Sequence, residues 1–141
     1  MQVFIVGTPL ETAMALSKRH LNNQINETKI ILDALNGAKA WSNHPCVLQY
    51  KGHTKWLEHY QDCLQFYQIG YYKLAEIESY YAEDCYKPHW HCDEYFTQMK
   101  RRLYTKDPER YKQWANLGTS EENHYFVDGS WRKYVNGKRI E

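Results

Sequence analysis

The chain has 141 residues, 43% of them hydrophobic, with a formal net charge of +1. That size and composition suit one soluble globular domain with a sizeable core. They leave no room for a membrane span, which needs roughly 18 consecutive apolar residues, and the near-neutral balance does not advertise a nucleic-acid binder.

Taken in chain order, residues 1–7 (MQVFIVG) are expected to form a short extended arm, since they carry an apolar patch but no basic leader and no cleavage signal. Thr8-Pro9 marks a helix start, and the pattern predicts one helix from about Pro9 to Ser17 and a second from about Leu21 to Leu35. Asn36-Gly37 closes the second as a C-cap. Within it, Leu21, Ile25, Thr28, Leu32 and Leu35 recur at helical spacing and mark a buried face. A second stripe, His20, Asn23, Gln24 and Glu27, falls at i, i+3, i+4 and i+7 and lines up an imidazole, two amides and a carboxylate. On spacing alone, a solvated face is the commoner meaning of such a stripe.

Trp41 to Pro45 reads as a loop, and His44-Pro45 restarts the chain into a short helix ending near Tyr50. Trp56, Leu57, Tyr60, Leu64, Tyr67, Tyr71 and Leu74 predict a helix from His53 to about Tyr81, with Gly70 a weak point. The segment AEDCYKPHWHCDE is a loop broken by Pro88. A basic helix is expected from about Asp93 to Thr105, and a shorter one from Pro108 to about Trp114. In HYFVDGSWRKYV, Asp128-Gly129 lies between two aromatic, β-branched runs, the strongest short-range hairpin signal. The fold class is therefore mostly all-α, a compact helical bundle with a small C-terminal β-hairpin.

The net charge hides an asymmetry. Glu76, Glu78, Glu83, Asp84, Asp93 and Glu94 lie in a stretch whose one base is Lys87, whereas Lys100, Arg101, Arg102, Lys106, Arg110 and Lys112 face only Asp107 and Glu109. Interleaved with tyrosines, the basic stretch could meet a phosphate backbone, and an ordinary solvated helix face is an equally good account. Thirteen Tyr and five Trp suit a gripping surface, though filling a core is their commoner use. Cys85, His89, His91 and Cys92 carry ligand-type side chains. His91 and Cys92 are adjacent, which makes joint ligation awkward, so a loop packed by Trp90 is favoured over zinc and no metal is expected. With Cys46 and Cys63, these cysteines read as reduced thiols in a cytoplasmic protein.

Three blocks together carry a family resemblance. LSKRHLNNQINETKIILDAL (16–35), WSNHPCVLQYKGHTKWLEHYQDCL (41–64) and PHWHCDEYFTQMKRRLYTKDPERYKQW (88–114) follow one another as in the pyrimidine-dimer DNA glycosylase/AP-lyase family, of the phage endonuclease V type. Gln24/Glu27 and Asn43-His44-Pro45 are the specific elements, and residues 1–114 are similar to the family while 115–141 look added. The resemblance implies a bundle of the endonuclease V type and a repair activity on damaged or modified double-stranded DNA. It places Glu27 on the family's catalytic glutamate and Met1 at its nucleophilic α-amine, with no cofactor. An α-amine is a far weaker base than a lysine side-chain amine, so a fraction is neutral and nucleophilic near pH 7. His20, Asn23, Gln24, Asn26, His44, Lys100, Arg101, Arg102 and Lys106 become the expected DNA-contacting residues. Gln2 is too large for normal removal of Met1, and His20 and Ile25 stand where many relatives carry Arg. A non-catalytic nucleic-acid-binding relative, or a phage or bacterial interaction module on the same scaffold, is the alternative. A monomer is expected, bound to no membrane. Deleting residues 123–141 is expected to weaken DNA binding at little cost in stability.

Overall fold

The computed structural model describes residues 1–70 and 87–141. Helix α1 (Pro9–Ala15) opens with a reciprocal capping box in which the Thr8 side chain accepts from the Glu11 amide and the Glu11 carboxylate accepts from the Thr8 amide. It stops two residues short of the expected Ser17 because Leu16 is extended (φ −69°, ψ 142°), which frees Ser17 to cap the next helix. Helix α2 (Lys18–Leu35) starts three residues earlier than its apolar spacing implied, since the Ser17 side chain accepts from the His20 amide. Leu21, Thr28, Ile31, Leu32 and Ala34 are buried, with Ile25 and Leu35 half-buried at the rim.

Helix α3 (Pro45–Gln49) is capped by the His44 imidazole, which accepts from the Cys46 amide. Helix α4 (Thr54–Gln68) ends well before Tyr81, with Ile69 as its cap and Gly70 at φ +78°, a left-handed conformation that glycine adopts without a Cβ penalty. The remainder of the expected helix, from Tyr71, lies outside the described residues. Helix α5 (Asp93–Lys106) carries Asp93 and Glu94 in its first turn and Lys106 in its last, the arrangement that complements a helix dipole. No helix among the described residues is long and apolar enough to cross a membrane.

After α5 the short helix expected from Pro108 is replaced by a turn, in which the Asp107 carboxylate accepts from the Arg110 amide, and by a 3-10 helix over Lys112–Leu117. Strands β1 (Asn123–Val127) and β2 (Ser130–Val135) pair antiparallel through Asp128 (φ +53°) and Gly129 (φ +77°). Both turn residues take the positive φ of a type I′ hairpin. A second turn of the same kind, Asn136-Gly137 at φ +51° and +78°, adds β3 (Lys138–Arg139), which the sequence reading missed.

The arm at residues 1–7 is extended and runs through the core, with Val3 and Ile5 wholly buried. Helices α1 and α2 pack on α4, and the hairpin packs through β1 on α3 and α5. The tail is part of this core rather than a decoration. Tyr125 is 3% exposed and donates to the Met1 carbonyl, Gln49 Oε1 accepts from the Phe126 amide, and buried Arg102 donates to Asn123 and to the Ser120 carbonyl. Removing residues 118–141 would strip Arg102 and Gln98 of these partners and take the buried Tyr125 ring out of the core, leaving the surface it covers open to water. That truncation is therefore expected to lower the melting temperature by more than about 10 °C in a calorimetric scan, whereas the sequence reading expected little loss of stability on deleting residues 123–141. A shift within about 3 °C would show that the tail is dispensable to the fold.

Candidate active site

The polar stripe of α2 has two fates, decided by depth. Asn23 and Asn26 are exposed, Glu27 is half-buried, and Gln24 is 1% exposed. The Gln24 carboxamide is saturated. Its Oε1 accepts from the Phe4 amide at 2.9 Å and lies 3.0 Å from the Tyr60 hydroxyl, while its Nε2 donates to the Gln2 carbonyl at 2.7 Å and to Glu27 Oε2 at 3.0 Å. The Tyr60 hydroxyl also lies 2.6 Å from the Phe4 carbonyl oxygen. One side chain thus stitches the arm to α2 and holds the Glu27 carboxylate. Tyr125 fixes the first residue of the arm from the other side, 3.0 Å from the Met1 carbonyl oxygen. The Gln2 carboxamide is itself buried with no hydrogen-bond partner among the described residues.

Burial raises the pKa of Glu27 above that of an ordinary carboxylate. Opposing it, in order, are the positive α-amine of Met1, a hydrogen bond from the Gln2 amide, the Lys106 ammonium and the Gln24 carboxamide. The same amine acts on His44, whose pKa is lowered first by burial and then by that charge. Cys46, beneath them, is pushed up to about 12 by burial, so it is a neutral thiol. Lys106 stands over the Phe4 ring, 5.9 Å from its centroid. Partial burial of its ammonium, and then the nearby Arg102, lower its pKa, while Glu27 partly offsets both. Met1, Gln24, Glu27, His44 and Lys106 therefore share one neighbourhood, in which burial raises the pKa of a carboxylate that the amine's charge acts on in the opposite sense.

The other expected contacts are used differently. His20 is 7% exposed, stacks on Tyr111 at 5.5 Å, and its Nδ1 lies 2.6 Å from the Tyr111 hydroxyl. Burial, and then Arg19, lower its pKa and favour the neutral ring. Arg101 donates to the Leu117 carbonyl at 2.7 Å, Lys100 stands over Trp114, and Arg102 is held by the tail. On α5, Lys106 and not the Lys100–Arg102 run is the base whose field reaches Glu27. Arg19, Lys106 and Arg110 surround His20 instead, and Arg19 and Arg110 are exposed. In the loop before α5, His91 is held by the Tyr50 hydroxyl at 3.1 Å and its pKa falls to about 3 through burial. Cys85 lies outside the described residues, and among those described no three His, Cys, Asp or Glu side chains gather as a metal would need.

Sequence reasoning missed Arg19, Tyr60 and Tyr125. Arg19 sits one position before the stripe, where the expected helix had not yet begun. Tyr60 and Tyr125 carry no local signal beyond being aromatic residues at buried positions. Their roles arise from hydroxyls meeting a chain segment 56 and 124 residues away.

Residues 1–65 match the model of a family described as pyrimidine dimer DNA glycosylase. No curated protein and no solved structure matches the chain. The matched span holds the arm, α1 to α3 and most of α4, and with them Met1, Gln24, Glu27 and His44; α5 and the hairpin lie beyond it.

Proposed function

From a first 65 residues that match the pyrimidine dimer DNA glycosylase family, we propose that this protein is a DNA glycosylase/AP lyase acting on damaged duplex DNA through the Met1 amine and Glu27. The observation that carries the reading is that Gln24 Nε2 donates both to the Gln2 carbonyl, one residue from the α-amine, and to Glu27 Oε2. On this reading the nucleophile and the acid/base group work side by side. The neutral amine attacks C1′ of the damaged nucleotide, the glycosidic bond breaks with its electrons leaving on the base, and the base takes a proton. The attached amine gives up a proton, the C1′–O4′ bond opens with O4′ taking a proton, and the resulting iminium links Met1 to the ring-opened sugar. Loss of a C2′ proton then breaks the C3′–O bond. Burial moves the pKa of Glu27 upward from the ordinary carboxylate value, the direction that suits a carboxyl group to these transfers. Lys106 adds positive charge near Glu27, and Arg19 and Arg110, which lie around His20, are exposed bases of the sign that a phosphate backbone requires.

Borohydride reduces an iminium to a stable amine, so it is expected to trap this protein covalently on an abasic duplex. Peptide mapping should place the adduct on Met1, and an N-terminal extension should abolish it. An adduct on Lys106, the other amine in the field of Glu27, would move the nucleophile. No adduct on abasic or dimer-containing DNA would remove the lyase reading and leave a DNA-binding relative without turnover.

A further inference from the structure

Three non-glycine residues among those described have positive φ: Trp41, Asp128 and Asn136. The latter two sit in hairpin turns before glycine, where Asp and Asn are at ease. Trp41 at φ +65° is a different case, since a bulky residue in the left-handed region is strained and persists where its surroundings impose it. A buried indole could recover that strain through packing, but this one is 54% exposed. Glycine or asparagine would make the same turn, in which the Trp41 carbonyl accepts from the His44 amide, with less strain. The indole is thus held outward at a cost the fold does not require.

Its position gives that cost a purpose. The indole meets the His44 ring edge-on at 5.7 Å, His44 meets Tyr125 edge-on at 5.9 Å, and Tyr125 bonds the Met1 carbonyl. An exposed flat ring therefore stands two ring contacts from the residue that bears the amine. Chemistry at C1′ requires the reacting nucleotide, or its partner base, to leave the stack. Proteins that kink a duplex frequently wedge an apolar side chain between base steps, and an aromatic ring stacks on an unpaired base whatever its sequence.

We propose that Trp41 stacks on a nucleobase at the disturbed step, taking the place of the base that departs when the reacting nucleotide is drawn toward Met1. This rests on the duplex-DNA reading above, but not on the identity of the nucleophile. The nearby Lys39, also exposed, would meet the adjoining phosphate.

The test uses a duplex with a tetrahydrofuran abasic analogue, which cannot form an iminium, and 2-aminopurine in the opposite strand. Wild-type protein is expected to bind and to change the 2-aminopurine fluorescence. Trp41→Ala should weaken binding about tenfold and remove that change, and Trp41→Phe should restore most of both. Trp41→Gly separates stacking from architecture, because glycine relieves the strained φ. It should bind as poorly as the alanine variant while melting no lower than wild type. Wild-type affinity in the alanine or glycine variant overturns the proposal, as does a glycine variant that loses stability together with binding. A wild-type protein that binds this duplex yet traps on no abasic DNA supports the stacking role and removes the lyase. One that binds no duplex overturns both.

Discussion

Glu27→Gln is expected to slow strand cleavage at an abasic site by about 10²- to 10⁴-fold, the range lost with a general acid/base, while duplex binding changes little. Glutamine keeps the shape and an oxygen for the Gln2 amide and Gln24 Nε2, so the pocket stays assembled. What it removes is the proton transfer, which serves the transition state rather than the bound ground state. The same substitution has a stability signature set by the raised pKa of Glu27. The folded state favours the neutral carboxyl, so the contribution of this group to stability is fully present below the ordinary carboxylate pKa. It is lost as the pH rises through the folded value. Glutamine is neutral throughout. The variant should therefore melt above wild type at pH 7 to 8, with the gap closing as the pH falls below about 4.5. Thermal melts across that range decide it, and a variant less stable than wild type at pH 7 would mean that ionised Glu27, paired with the amine, supports the fold.

Gln24→Leu should cost about 3 to 5 kcal/mol of stability in urea unfolding, a large share of the total for a small domain. The substitution leaves the Phe4 amide and the Gln2 carbonyl buried with no partner, each at about 1 to 3 kcal/mol, and takes from Glu27 one of its donors. Tyr60 keeps its contact with the Phe4 carbonyl, so the arm stays in the core but loses its register against α2. Trapping on abasic DNA should fall further than stability alone explains, since the amine and the carboxylate are then no longer tied through one carboxamide. Gln24→Glu is the informative partner. It still accepts from Phe4 but cannot donate, and it sets a second carboxylate against Glu27, so at pH 7 it should be at least as harmful as leucine. A loss below about 1 kcal/mol in the leucine variant would show that this carboxamide does not hold the arm.

The residues that announce themselves in this chain do so through neighbours a few positions away. Apolar spacing set the existence of α2, α4 and α5, Asn36-Gly37 marked one helix end, and Asp128-Gly129 marked the hairpin in its register. The same kind of rule failed where two local signals compete. Ser17 as a cap moved the start of α2 ahead of its first apolar residue, Gly70 ended α4 before its apolar pattern did, and Asp107 turned the chain where Pro108 could have started a helix. The i, i+3, i+4, i+7 stripe was legible as a stripe, and the family resemblance assigned its carboxylate. Which of its members would face solvent was not legible, because a buried amide needs partners and the partners of Gln24 come from the arm 20 residues before it and from Tyr60, 36 residues after it. Likewise Arg102 reads as one more base in a basic run, yet the tail folds over it and fills its hydrogen bonds, leaving Lys106 to act on Glu27. Helix and turn signals are local because they come from backbone sterics and caps. The pairing of polar groups, and with it the meeting of Met1, Glu27, His44 and Tyr125, depends on which distant segments share a core, and tertiary structure alone decides that.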